Sequence, residues 1–224
     1  GYNDLLYGGG NGVSFMKSNG TGTGFTHHAT SNYVFSQRSN FVDLNNDGNL
    51  DAFVCHDVAP NVFYINDGSG NLTFNQGGLG DVSNGGNYGS IWFDYNNDGF
   101  EDIFCTSFPT DKLSVVGEEA AMEMMGINSG TERAKLYRNN GNETFTDVTA
   151  EAGLNKMIFA MGFNFGDLDN DGWLDVYTGT GAFEFNSLVP NRVFKNMGGQ
   201  RFAEITNGSG IGHLQKGHGI AFGD

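Results

Sequence analysis

Carboxylate and amide side chains crowd into one short stretch of the chain, FVDLNNDGNLDAF. Their oxygens occupy relative positions 1, 3, 5 and 9 and a glycine occupies position 6, at Asp43, Asn45, Asp47, Asp51 and Gly48. Ionised carboxylates this close together repel one another unless a cation lies among them. A set made only of oxygen ligands suits a hard cation, and roughly six to eight of them suit Ca²⁺ better than Mg²⁺, which retains its waters.

The same pattern, D-x-[DN]-x-D-G-x-x-D, occurs three times along the chain. We predict that each copy binds one Ca²⁺ through its side chains at positions 1, 3, 5 and 9 and through the main-chain carbonyl of position 7. The predicted ligands are Asp43, Asn45, Asp47, Asn49 and Asp51 in the first loop, Asp94, Asn96, Asp98, Phe100 and Asp102 in the second, and Asp167, Asp169, Asp171, Trp173 and Asp175 in the third. Glycine at position 6 allows the positive φ that folds such a loop around an ion.

Both ends of the sequence resemble fragments of the same loop. Asp4 in GYND fits position 9, and Asp224 in FGD fits position 1. These two aspartates therefore predict partial sites, and we expect the chain to be a piece of a longer repeat array.

Rival metal-binding motifs and a simple turn fit the pattern less well than a calcium loop. The loops contain no His or Cys, which argues against zinc or copper. An EF-hand needs a glutamate at position 12 and a helix on each side, but position 12 is Val54, Cys105 or Thr178 and the flanks resemble strands. Dockerin and thrombospondin-type calcium repeats would also need an acid there. A solvated Asp/Asn turn accounts for one copy, but not for three that keep aspartate at positions 1, 5 and 9.

Strand-like segments surround each loop. An apolar segment enters the loop, and a segment such as DIFCT, apolar on both faces, leaves it, as expected of a strand buried between two neighbours. An Asn/Gly turn follows, with phenylalanine six residues after asparagine at 19–25, 139–145 and 196–202, and with two further residues at 66–74. These turns predict hairpins. Four strands in about 50 residues are typical of a β-propeller blade.

The predicted fold is therefore all-β, a β-propeller of four-stranded antiparallel blades. Residues 1–224 form one domain that is part of a propeller, with units at about 1–42, 43–93, 94–166 and 167–224. The third unit is longer than the others, and SVVGEEAAMEMM predicts a helical insertion at about 110–130.

Composition limits the possible partners. The chain has 26 acidic and 11 basic side chains and a formal charge of −15, which disfavours nucleic acid and anionic membrane surfaces. No apolar stretch approaches the about 20 residues of a membrane-spanning helix. Cys55 and Cys105 stand at different distances from the ends of their loops, so they should face opposite sides of their strands, and we expect no disulfide between them.

The loops and hairpins together resemble the FG-GAP/VCBS repeat family, the calcium-loop propellers that include the heads of integrin α subunits. FGDLDNDGWLDVY carries the core of this resemblance, and KLYRNNGNETFTDVTAEAGL resembles more particularly the ASPIC/UnbV and cartilage acidic protein group. The resemblance implies a propeller, commonly of seven blades, that is secreted or on a cell surface. It also implies structural calcium. Asn45 and Asn96 replace the acid often found at position 3, which predicts weaker binding there than in the third loop.

These features predict a calcium-binding, non-enzymatic module for extracellular binding or adhesion, with a protein or glycan partner. One alternative is a propeller lectin that holds sugars between blades with aromatic and amide side chains. Another is a propeller enzyme, such as a polysaccharide lyase or a phytase, which would need a convergent acid–base cluster away from the loops. About half of the acids lie in the loops, and we find no GxSxG, P-loop or HExxH motif.

Overall fold

The computed structural model describes residues 2–9, 12–80, 86–107, 134–156, 158, 160–180, 190–214 and 217–223. The predicted helical insertion at about 110–130 lies outside these ranges. Within them, all the sheets are antiparallel, and no helix is long and apolar enough to cross a membrane.

Fifteen strands form four sheets in the described part of the chain, and in each sheet every strand pairs with the next one along the sequence. The first sheet contains β1 (Leu5–Gly9), β2 (Gly12–Ser18) and β3 (Phe25–Ala29). The second contains β4 (Ser36–Val42), β5 (Asp51–His56), β6 (Val62–Asn66) and β7 (Leu72–Gln76). The third contains β8 (Asn87–Phe93), β9 (Asp102–Ser107), β10 (Lys135–Asn139) and β11 (Phe145–Asp147). The fourth contains β12 (Ala160–Gly166), β13 (Asp175–Thr180), β14 (Arg192–Asn196) and β15 (Phe202–Glu204), followed by the short helix α1 (Thr206–Ser209).

This arrangement confirms the predicted fold class. Each four-stranded sheet is an up-and-down meander of the kind that forms propeller blades, and an acidic loop joins its first two strands. Asp4 lies directly before β1 and corresponds to Asp51 and Asp102, which are the first residues of β5 and β9. The three strands of the first sheet therefore correspond to the second, third and fourth strands of the other sheets.

Apolar side chains between successive sheets form the core. All six residues of β5 are buried, because one face packs towards the first sheet and the other towards the third. This double burial explains why the strand after each acidic loop is apolar without alternation. Aromatic pairs join neighbouring sheets: Phe53 meets Trp92 with ring centroids 5.4 Å apart, and Phe93 stacks on Phe165 at 5.1 Å.

The outer hairpins of the third and fourth sheets have the predicted register, with asparagine paired to the phenylalanine six residues later, whereas those of the first and second sheets differ. Asn66 pairs with Leu72, not with Phe74, so the turn of the second sheet is as long as those between β10 and β11 and between β14 and β15. Ser18 pairs with Phe25, so the first sheet has the longer turn. The assignment of two extra residues to 66–74 was wrong, because Phe74 lies two residues into β7 and hence on the same face as Leu72.

The two cysteines lie in the same core cluster, between the second and third sheets. Both are buried and neither forms a disulfide, and the Cys55 thiol donates a hydrogen bond to Ser90 Oγ at 3.4 Å. Burial raises the pKa of Cys55 to about 12. When two sheets stack side by side, one face of β5 lies against the opposite face of the equivalent strand β9. Cys55 and Cys105 point to opposite faces of these two strands, so both lie in the interface between the second and third sheets.

Candidate metal centres

The three acidic loops share one backbone conformation. Position 4 is asparagine with φ between 55° and 57°, and position 6 is glycine with φ between 85° and 89°: Asn46 and Gly48, Asn97 and Gly99, and Asn170 and Gly172. A Cβ on any of these glycines would meet no atom within 4 Å. Glycine is therefore needed for its positive φ and not for lack of space. The asparagine at position 4, whose type tolerates this region, is present in all three copies but was not singled out from the sequence.

The carboxylate at position 1 closes the loop through main-chain hydrogen bonds. In the second loop, the N–H of Asp98 donates to Asp94 Oδ1 at 3.0 Å and that of Gly99 to Asp94 Oδ2 at 2.7 Å. The equivalent bonds to Asp43 and Asp167 measure 2.8 and 3.1 Å in each loop. These bonds fix the backbone of positions 5 and 6 against the carboxylate at position 1.

In the second loop, the side chains at positions 3 and 5 leave one amide oxygen without a partner among the described residues. The N–H of Phe100 donates to Asp98 Oδ1 at 3.0 Å, and Asn96 Nδ2 donates to Asp98 Oδ2 at 2.8 Å. Asn96 Oδ1 is buried and accepts no hydrogen bond from the described residues. A buried oxygen without a donor is costly, and a cation in the loop would satisfy it.

The carboxylate at position 9 is buried and ties its loop to the hairpin of the same sheet. Asp102 accepts one bond on each oxygen, from the N–H of Tyr95 at 3.1 Å and from the N–H of Asn139 at 2.8 Å. Asp51 and Asp175 accept the two equivalent bonds at 2.8 and 2.9 Å. Position 9 therefore has a structural role that the local sequence pattern does not reveal.

Burial changes the acidity of these same carboxyl groups. It raises the pKa of Asp102 to about 7, against the hydrogen bonds from Asn139 and Tyr95 that lower it. Burial likewise raises the pKa of Asp51 and of Asp175. Charge on these side chains is thus unfavourable in the protein alone, and a bound cation would offset that cost.

Three carboxylates converge in the third loop. Asp167, Asp169 and Asp175 each offer an oxygen within 4.8 Å of the others, a group that could hold a metal ion. The Lys195 ammonium forms an ion pair with Asp169 and lies 3.5 Å from Asp171. This pairing lowers the pKa of Asp169 and raises that of Lys195. The Lys195 ammonium group thus lies beside the predicted calcium site and interacts with two of its carboxylates.

The side chain at position 7 packs on the hairpin of its own sheet. A Cβ on the facing hairpin glycine would come within 2.5–3.0 Å of this side chain, so only glycine leaves room for it. The four pairs are Tyr2 with Gly20, Asn49 with Gly68, Phe100 with Gly141, and Trp173 with Gly199. This packing explains why position 7, which is predicted to bind metal only through its main-chain carbonyl, often carries an aromatic side chain.

Neighbouring loops contact one another between the third and fourth sheets. The N–H of Asn196 donates to Asp175, the position 9 carboxylate of the same sheet. Its side-chain Nδ2 donates to Tyr95 O of the second loop at 2.8 Å. Asn97 Nδ2 donates to Gly172 O at 3.2 Å. The second and third loops are therefore held together directly.

The two partial sites are described unequally. Asp4 Oδ1 accepts the N–H of Ser18 at 2.7 Å, which is the counterpart of the bonds made by the other position 9 carboxylates. Asp224 lies outside the described residues. The segment before it contacts the fourth sheet, where Asn164 Nδ2 donates to Ile220 O at 3.1 Å.

A family comparison matches the part of the chain that contains the acidic loops. The sequence matches the FG-GAP-like repeat family at residues 43–105 and 121–178, which is more than half of the chain and includes the complete pattern of all three loops. No curated protein sequence matches the chain significantly. With the sheet topology and the loop geometry, this match shows that the chain belongs to the FG-GAP-like repeat family.

Proposed function

We propose that the chain is a calcium-stabilised β-propeller module, with one Ca²⁺ bound in each of its three complete loops, that serves extracellular binding or adhesion and not catalysis. The observation that carries the proposal is the unpartnered, buried Asn96 Oδ1 inside a loop already closed by Asp94. The carboxylate group of the third loop supports it independently.

The hydrogen bonds within the loops are compatible with a bound ion. A carboxylate oxygen has two lone pairs, so an oxygen that accepts one N–H can still contact a cation. Asp102 would therefore both hold the hairpin and bind the ion. Because every candidate ligand atom is an oxygen, the set favours Ca²⁺ over transition metals.

The proposed charge of the sites supports an extracellular location. The first two loops carry an amide at position 3, Asn45 and Asn96, so each would neutralise less of the ion's charge than the third. Calcium modules with Kd values of about 10⁻⁴–10⁻³ M operate outside cells. The finer resemblance to the ASPIC/UnbV and cartilage acidic protein group remains a prediction.

Isothermal titration with Ca²⁺ tests the proposal. We expect three ions per chain, and one fewer for Asp169→Ala, because that change removes a carboxylate from the third loop. Asp57→Ala is the matched control, since Asp57 lies outside the loops and accepts a hydrogen bond from Gln37. Failure of the chain to bind Ca²⁺, or an equal loss of ions in the two variants, would contradict the proposal.

Lys195 should compete with calcium for the third loop. Its ammonium must leave Asp169 and Asp171 when the ion binds, so we expect Lys195→Met to tighten this site about threefold, the scale of a partly exposed ion pair. Lys135→Met is the control, because Lys135 pairs with Asp147 away from the loops. Weaker calcium binding in Lys195→Met would show that the ammonium is not a competitor.

A further inference from the structure

A groove of about 1120 Å³ opens between the first and second sheets. One wall is formed by β2, β3 and the residues before β1, and the other by β4, the tip of the first acidic loop and the β6–β7 hairpin. Sites for small ligands typically have volumes of about 300–1,000 Å³. The groove is therefore large enough for a short oligosaccharide or a molecule of similar size.

Phe41 of β4 lies at the groove, at a position that is aromatic in each four-stranded sheet. Phe41 of β4 pairs with Ala52 at the same register position as Trp92 of β8 with Ile103. Trp92 fills the next interface, where it is 8% exposed and packs edge-on against neighbouring rings. Phe41 is smaller and remains 38% exposed, with its ring on the groove.

The tip of the first acidic loop also lines the groove. Its position 7 residue is Asn49, whereas the corresponding residues are Tyr2, Phe100 and Trp173. Asn49 covers its hairpin glycine with an amide in place of a ring and lines the groove. One repeat position that elsewhere holds an aromatic ring is thus an amide, on the same groove as the partly exposed Phe41.

The lining combines aromatic rings with polar groups that lack partners. Phe41 and Phe74 present rings to the groove, and Tyr2 stands at its rim, 72% exposed. The side chains of Lys17 and His28 also line it and make no hydrogen bond or ion pair with other described residues. A purely apolar ligand would leave these polar groups unpaired and desolvated. A ligand that matches both the aromatic rings and the polar side chains has an apolar face and a rim of hydroxyl groups.

We propose that this groove binds a saccharide, with the sugar's C–H face against Phe41 and its hydroxyl groups bonded to Lys17, His28 and the neighbouring amides. The inference rests on the proposed function as an extracellular binding module and names the class of its ligand. Phe41, Lys17 and His28 lie outside the three acidic loops, and none of them is a predicted calcium ligand. A neutral sugar and an acidic sugar share this chemistry, and only the acidic one would add an ion pair with Lys17.

Titration of the calcium-loaded chain with a panel of neutral and acidic oligosaccharides, followed by calorimetry or ligand-observed NMR, tests the inference. We expect at least one sugar to bind, and Phe41→Ser to weaken it about tenfold because the aromatic contact is lost. Phe35→Ser is the matched control, since Phe35 is 40% exposed just before β4 and does not line the groove. Lys17→Met should weaken an acidic sugar more than a neutral one.

The outcomes separate this inference from the proposed function. Circular dichroism and a calcium count on each sample establish that the variant is folded and loaded. A folded, calcium-loaded chain that binds no sugar of the panel would overturn the groove site and leave the calcium proposal intact. Binding equally reduced by Phe41→Ser and Phe35→Ser, or reduced by neither, would also overturn it. Sugar binding by a chain that holds no calcium would contradict only the calcium proposal.

Discussion

Removal of calcium by a chelator is expected to lower the midpoint of thermal unfolding, and calcium but not magnesium should restore it. An ion that binds only the folded state stabilises it by about 2.7 kcal/mol per site when its free concentration is 100 times Kd. With three complete loops, this is one of the two largest effects that we expect. The physical cause is the crowding of carboxylates, which includes the buried Asp51, Asp102 and Asp175.

Magnesium at the same concentration is the control for ionic screening, because it carries the same charge but retains its waters. Differential scanning calorimetry in EDTA, calcium and magnesium makes the comparison. If the chain unfolds at the same temperature in EDTA and in calcium, the loops do not stabilise it through calcium.

The loops and the order of the strands could be predicted from the sequence because their determinants are local. The spacing of Asp43, Asp47 and Gly48 specifies one turn. Because the same spacing occurs three times in the chain, it does not arise by chance. The apolar run after each loop likewise identified a strand buried on both faces, which β5 confirms. The asparagine at position 4 was equally readable, because it is the same in every copy.

Features that depend on strand register or on blade stacking could not be predicted in this way. Phe74 and Leu72 lie on the same face of β7, so an aromatic pattern alone could not choose between them. The shared interface of Cys55 and Cys105 required knowledge of which sheet faces which. In each case the deciding contact joins residues that are distant in sequence and belong to different strands.

The contacts between each acidic loop and its hairpin also join residues that are distant in sequence, so they could not be predicted from local patterns. Asn139 donates to a carboxylate 37 residues earlier in the chain, and Phe100 covers Gly141 across the same sheet. In the sequence, the acidic loop and the Asn/Gly turn are separate motifs. The structure joins them into one unit, in which the hairpin asparagine, the position 9 aspartate and the position 7 side chain support one another.

This unit predicts a large loss of stability for Asp102→Ala, even without calcium. The change leaves the buried N–H groups of Tyr95 and Asn139 without an acceptor, and each such group costs about 1–3 kcal/mol, so we expect a destabilisation of about 2–6 kcal/mol. Asp102→Asn should be milder, because it keeps one acceptor oxygen and removes a charge that burial makes unfavourable. Urea unfolding in EDTA measures both changes.

Asp98→Ala is the matched control for this prediction. Asp98 belongs to the same loop and is also a predicted calcium ligand, but it is exposed, and the hydrogen bonds that it accepts from the N–H of Phe100 and from Asn96 Nδ2 lie at the surface. Its loss should therefore be small in EDTA and should appear mainly in calcium, whereas that of Asp102→Ala should appear in both. Equal losses for Asp98→Ala and Asp102→Ala in EDTA would mean that the position 9 carboxylate does not hold the hairpin, and that its burial serves the ion alone.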